Sequence, residues 1–128
     1  MKALLDTHVL LWMAGNEAKL SAKAKKLVLN PESELFCSIA SLWELSIKIS
    51  LQKLSLPCTL AKFVEEEILG NNINFLAIKP THTYTLSNLP FHHRDPFDRL
   101  LIAQAMRESL HVVTADSQFA AYAIQCYW

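Results

Sequence analysis

Glycine is scarce in this chain, with only 2 among 128 residues, at Gly15 and Gly70. That excludes the glycine-rich loops of P-loop and dinucleotide-binding proteins, which need several glycines where the backbone closes around phosphate. Net charge is absent as well, because 12 Lys and Arg balance 12 Asp and Glu. A balanced chain does not coat nucleic acid by bulk charge, although a local basic rim around a site stays compatible with it. Cysteine is limited to Cys37, Cys58 and Cys126, an odd and scattered set without zinc spacing. Such cysteines are expected as reduced, mostly buried thiols in a reducing compartment. No apolar run is long enough to span a membrane. The opening residues read as a strand rather than a signal peptide, so the expectation is a soluble, cytoplasmic protein. What is abundant is apolar surface. Hydrophobic residues make up 52%, enough for a sizeable core in one ordinary domain taken as residues 1–128.

Short apolar runs alternate with longer helical patterns. Strands are expected at Lys2 to Leu5, Leu35 to Cys37, Phe75 to Ile78 and His111 to Thr114, with a further edge strand at Ile124 to Tyr127. Helices are expected over Thr7 to Ala14, Ser21 to Leu29, Ile39 to Gln52, Thr59 to Leu69, a short stretch after Pro80, Phe97 to Ser109 and Gln118 to Ala123. This alternation predicts a three-layer α/β/α fold around a mainly parallel sheet of roughly four to five strands.

Against this frame the acids are informative. Asp6 closes the first apolar run and Asp116 follows Val112-Val113-Thr114-Ala115. Open α/β sheets place their sites at the carboxyl ends of strands, although either residue also fits a helix cap. Glu44 lies on a narrow polar stripe with Ser41, Lys48 and Gln52, on a helix otherwise wrapped by Ile39, Leu42, Trp43, Ile47, Ile49 and Leu51. The stripe reads as the lining of a cleft, or as a solvent face carrying a weak Glu44–Lys48 pair. In Asp95-Pro96-Phe97-Asp98, Asp95 fits the cap and Pro96 the first helical position. Asp98 then falls on the inward face, in line with Leu101, Ile102 and Ala105. Converging carboxylates repel one another and resist leaving water, and a divalent cation is the usual reason to accept that cost. An all-oxygen ligand set selects hard cations such as Mg²⁺ or Mn²⁺.

Four blocks of the chain resemble the PIN domain, and most closely the VapC-type ribonuclease toxins of bacterial toxin–antitoxin pairs. They are Leu5-Asp6-Thr7-His8, the stretch from Ser41 to Lys48 around Trp43-Glu44, the stretch from Asp95 to Ala105, and Val113-Thr114-Ala115-Asp116 with Phe119. The resemblance implies a Mg²⁺- or Mn²⁺-dependent endoribonuclease that hydrolyses RNA and leaves a 5′-phosphate and a 3′-hydroxyl. It implies Asp6, Glu44 and Asp98 as principal acids, completed by Asp116. It also implies a homodimer held by a small antitoxin that blocks the cleft.

Around these acids, Thr7, Ser41, Asp95 and Thr114 are candidates to orient the carboxylates. Arg99, beside Asp98, is a candidate to meet substrate phosphate. His92 and His93, in the loop before Asp95, could contact RNA or a partner, although loop histidines are more often neither; Lys19, Lys23 and Lys26 could guide RNA, although a solvated helix face is the plainer reading. Trp12, Trp43 and Phe97 are expected in the core or a dimer interface. Two other functions compete. One is a PIN-like protein that binds RNA or an antitoxin with negligible turnover. The other is a phosphoacceptor signalling domain, which the single acid after the first strand and the lack of a lysine near the last strands disfavour.

Overall fold

A computed structural model of the chain covers residues 1–128. Its sheet follows from side-chain alternation. In β1 (Lys2–Leu5), Ala3 and Leu5 enter one core and Leu4 the other. In β2 (Glu34–Ser38), Leu35 and Cys37 join the first core, while Phe36 packs against the second. β3 (Asn74–Leu76), β4 (His111–Val113) and β5 (Cys126–Tyr127) complete a five-stranded sheet in the order β3-β2-β1-β4-β5. Every neighbouring pair is parallel. Strands that bury both faces need helices on both sides.

One layer contains α1 (Thr7–Gly15), α2 (Ala22–Leu29) and α3 (Ile39–Ser50), which contribute Val9, Leu10, Ala24 and Leu45 to the first core. Phe63 and Ile68 reach the same core from α4 (Leu60–Phe63) and the segment after it. The other layer contains α5 (Pro80–Ser87) and α6 (Pro96–Glu108), with Leu101, Ile102 and Ala105 packed beside Leu4, Val112 and Phe119. The expected three-layer α/β/α fold is the one observed.

Strand order also positions the site. From β1 the chain moves outward through β2 and β3, then returns to place β4 on the other flank of β1. Direction therefore reverses between β1 and β4, and at such a reversal a crevice opens beyond the carboxyl ends of the strands. Leu5 pairs with Val113, and the Asp6 N–H donates to the Val113 carbonyl at 3.0 Å. Asp6 and Thr114 are thereby brought to the mouth of the crevice.

Two elements differ from the sequence expectation. The helix expected from Thr59 to Leu69 begins as α4, widens into a π-turn over Val64–Ile68 and tightens into a 3₁₀ turn over Leu69–Asn71. Phe63 and Ile68 are both buried, and residues five apart share a face only where the turn is widened. Glu65 and Glu66, between them, stay in water. The short helix expected over Gln118 to Ala123 is a 3₁₀ turn at Ser117–Ala121. The cysteines are free thiols, and burial pushes that of Cys37 up to about 12. No helix is long and apolar enough to cross a membrane.

Candidate active site

The first question for each acid is whether its helix uses it as a cap. Asp6 stands at the N-cap position of α1 but makes no side-chain capping bond. Its Oδ2 instead accepts the Thr114 hydroxyl at 2.8 Å, and its Oδ1 is buried without a partner. At the start of α6 the cap is Asp95, whose Oδ1 accepts the N–H groups of Phe97 and Asp98 at 2.9 and 3.0 Å. Asp98 is thus free of capping and turns inward, as its helical position predicted. Asp116 does cap, since its Oδ1 accepts the Gln118 N–H at 2.9 Å.

Glu44 is carried in by α3 with the first half of its polar stripe facing the protein, while Lys48 is half-buried and Gln52, beyond the helix, is exposed. Ser41 and Glu44 are buried, whereas Ile39, Trp43 and Leu51 are exposed. Trp43 is therefore not core; its ring meets Phe97 edge-on at 5.2 Å. Glu44 Oε2 pairs with Lys48 Nζ at 2.8 Å, while Oε1 is buried and unpartnered. The pair is the one read from the i, i+4 spacing, but its acid lines the interior.

Electrostatic coupling shows which acids converge. Burial is the main cause that raises Asp6 above the ordinary carboxylate range; Thr114 and His8 oppose it, and the charge of Glu44 adds to it. Asp98 is pushed up to about 7, first by burial, then by the charges of Asp6, Asp95 and Glu44, against the His93 ring. Asp6, Glu44 and Asp98 therefore feel one another directly. Lys48 is raised in turn, chiefly by its bond to Glu44, with Asp95 and Asp98 contributing. One ammonium does not satisfy this group. Burying an ion without compensation costs several kcal/mol, against about 1 kcal/mol gained from a typical hydrogen bond. The two orphaned oxygens, Asp6 Oδ1 and Glu44 Oε1, are the open valence of the site. The carboxylate chemistry fits a hard divalent cation, with Asp6, Glu44 and Asp98 as the groups to hold it.

Asp116 joins through His93, which the sequence alone offers only as a loop histidine. His93 is buried, and its Nε2 lies 3.0 Å from Asp116 Oδ2 and 3.1 Å from Asp98 Oδ2. Its only local signal is its place two residues before the capping Asp95, whose N–H meets His93 Nδ1 at 3.1 Å. His92 offers a similar signal, yet its side chain stays exposed against Tyr122.

Among the supporting hydroxyls, Thr114 grips Asp6. Thr7 donates to Ser41 at 2.9 Å, so these two tie α1 to α3 and neither bonds a carboxylate. Arg99 requires a correction. It is buried, not turned toward a phosphate site. Its guanidinium donates to the carbonyls of Leu89, Pro90 and His93 and to the Tyr122 hydroxyl, and it stacks on Phe91 at 3.8 Å. Both terminal nitrogens of the guanidinium are thus engaged in holding the loop from Leu89 to His93 and Tyr122. Of the basic residues noted on α2, Lys23 rests on the Tyr127 ring at 4.3 Å.

The chain is 26% identical over 120 residues to Ribonuclease VapC22 of Mycobacterium tuberculosis, covering 93% of this chain and 90% of that protein. Its fold superposes with a TM-score of 0.72 on VapBC2 from Rickettsia felis, solved bound to a DNA fragment from their promoter, at 13% identity and full coverage of both chains. It also superposes with a TM-score of 0.67 on FitAcB from Neisseria gonorrhoeae, at 19% identity over 97% of this chain and 95% of that one. The family model of the PIN domain matches residues 3–125, and by that match, which takes in all but the two ends, the chain belongs to the PIN domain family.

Proposed function

We propose that this PIN domain, as one unit over residues 1–128, is a Mg²⁺- or Mn²⁺-dependent endoribonuclease. In this reading it is the toxin of a toxin–antitoxin pair, acting in the cytoplasm as a homodimer that a small antitoxin restrains. The observation that carries the nuclease reading is the pair of buried, unpartnered oxygens, Asp6 Oδ1 and Glu44 Oε1, beside the inward Asp98. The similarity to Ribonuclease VapC22 over most of both chains supports RNA as substrate. The fold shared with VapBC2 supports an antitoxin as partner.

A bound divalent cation supplies an acidified water and neutralises charge that develops on the phosphodiester. The chain's own residues prepare its place. Thr114 fixes one oxygen of Asp6 and leaves the other buried and unpartnered. Lys48 fixes one oxygen of Glu44 in the same way. Asp95 takes over the capping of α6, which keeps Asp98 available. Each carboxylate is thus oriented before the ion arrives, so little ordering remains to oppose binding.

The test is direct. Purified protein is expected to cleave RNA in Mg²⁺ or Mn²⁺ and to stop in EDTA. Cleavage that persists in EDTA would falsify the metal reading. For the toxin reading, expression of the chain alone is expected to arrest growth, and co-expression of a short neighbouring reading frame to relieve it. Growth unaffected by an active nuclease removes the toxin role.

A further inference from the structure

His93 lies at the junction of two acids, and its protonation pattern can be read from its neighbours. The Asp95 N–H donates to Nδ1 at 3.1 Å, so Nδ1 presents a lone pair and carries no proton. The neutral ring then holds its proton on Nε2. That nitrogen faces Asp116 Oδ2 and Asp98 Oδ2, at 3.0 and 3.1 Å, and a carboxylate oxygen that carries no proton accepts. One N–H is therefore shared between two carboxylates.

The ring is held in this pose. It meets Phe119 edge-on at 5.8 Å and 89°. The Tyr122 hydroxyl accepts the His93 N–H at 2.8 Å and donates to the Pro90 carbonyl at 2.8 Å. Arg99 closes the same loop from the other side.

Distance alone suggests a different role. His93 Nε2 and one oxygen each of Asp98 and Asp116 lie within 4.8 Å of one another, a spacing a cation could bridge. A protonated nitrogen, however, has no lone pair to give. Moving the proton to Nδ1 would set it against the Asp95 N–H, donor facing donor.

Resting on the nuclease reading above, we propose that His93 is a positioning residue of the acidic site. Its Nε2–H ties Asp98 to Asp116, leaves the other Asp98 oxygen for the cation, and keeps the imidazole out of the ligand set. Asp116 then acts through His93, since its Oδ1 is engaged by the Gln118 N–H and its Oδ2 by the ring.

The experiment has two arms on the full chain. Nitrogen–proton NMR correlation of the histidine rings, assigned with His93→Phe, reads the tautomer at neutral pH without metal and again with Mg²⁺. The expected result is Nε2–H in both. An Nδ1–H tautomer, or loss of the Nε2 proton when Mg²⁺ is added, overturns the proposal. Calorimetric titration with Mg²⁺ then compares variants. His93→Phe keeps a ring against Phe119 and is expected to bind about 10- to 100-fold more weakly, the usual effect of removing a partner of a ligand. His93→Gln places an amide N–H near Nε2 and is expected to recover most of that loss. Both variants binding like the parent overturns the proposal. If His93→Phe does not fold, the parent's tautomer and His93→Gln carry the test. A parent that binds no divalent cation overturns the nuclease reading, and the metal-free tautomer still decides whether His93 joins the two acids.

Discussion

Helix α6 carries a polar cluster at each end, and the two are built on opposite principles. Near its C-terminus, His82 is fully buried, accepts the Lys79 N–H at 3.0 Å and faces Glu108 Oε1 at 2.9 Å. Gln104, equally buried, accepts the Ser38 hydroxyl at 2.6 Å and donates to the Ala77 carbonyl at 3.3 Å. Lys79 adds a bond to Glu108 at 3.1 Å. No buried polar side-chain atom of His82, Gln104 or Glu108 lacks a partner; the orphaned His111 Nδ1 lies outside this cluster, on a ring set edge-on against Tyr127. Glu108 is accordingly lowered, first by His82 and then by Lys79. At the N-terminal end Asp98 is raised to about 7, and two oxygens of its neighbours have no partner. Burial of polar groups does not by itself mark function. A satisfied cluster holds the fold together, and the unsatisfied one is where the proposed cation would be held.

The sharpest way to break this contrast is to exchange the expected outcomes. Asp6→Asn is expected to reduce Mg²⁺-dependent RNA cleavage by more than the roughly 100-fold that loss of a supporting partner costs, with the circular dichroism of a folded protein. His82→Ala is expected to leave the activity of folded protein near that of the parent. If His82→Ala abolishes cleavage while the protein stays folded, the division between the clusters is wrong.

Stability is expected to respond in the opposite sense. His82→Ala leaves a cavity and strands the Lys79 N–H, so the urea midpoint is expected to fall by an equivalent of about 2–4 kcal/mol. An unchanged midpoint would mean that water replaces the ring without cost. Arg99→Lys is expected to cost less, about 1–3 kcal/mol, because an ammonium cannot reproduce the planar fork. Faster hydrogen exchange confined to the segment from Leu89 to His93 checks the role assigned to the guanidinium, and uniform acceleration would contradict it.

The smallest expected effect is a matter of sign. Asp98 has an ordinary value of 3.8 and is raised to about 7 in the fold. Between those values the folded protein holds a proton that the unfolded chain has released. Metal-free protein is therefore expected to lose stability as pH rises from about 4 through 7. Asp98→Asn is expected to flatten that slope and to raise the metal-free melting temperature at alkaline pH by a few degrees, the scale of about 1 kcal/mol in a domain this size. Mg²⁺ is expected to stabilise the variant less than the parent. A variant that melts lower than the parent without metal counts against repulsion within the cluster.

Much of the site was legible because its acids sit on regular elements. Asp6 follows an alternating strand, Asp98 can be placed on a helical wheel once Asp95 is taken as the cap, and the stripe holding Glu44 is readable from helical spacing. The stripe also shows the limit of such reading. Spacing identified it, but only packing decided that its Ser41 and Glu44 face inward while Trp43 and Leu51 face out. His93 and Arg99 were misjudged for a related reason. Their roles depend on a loop whose shape is set by Tyr122, distant in sequence, through bonds to His92, His93 and Pro90. No periodicity encodes such a loop.

The amino-acid sequence alone determined the alternation of buried strands and helices and the acids that end or begin them, because strand and helix periods are local properties of the chain. Only the tertiary structure decided which oxygens lack partners, which histidine joins two carboxylates and which arginine is spent on carbonyls. Those are properties of distance and desolvation, and they exist only once segments remote in sequence have been packed together.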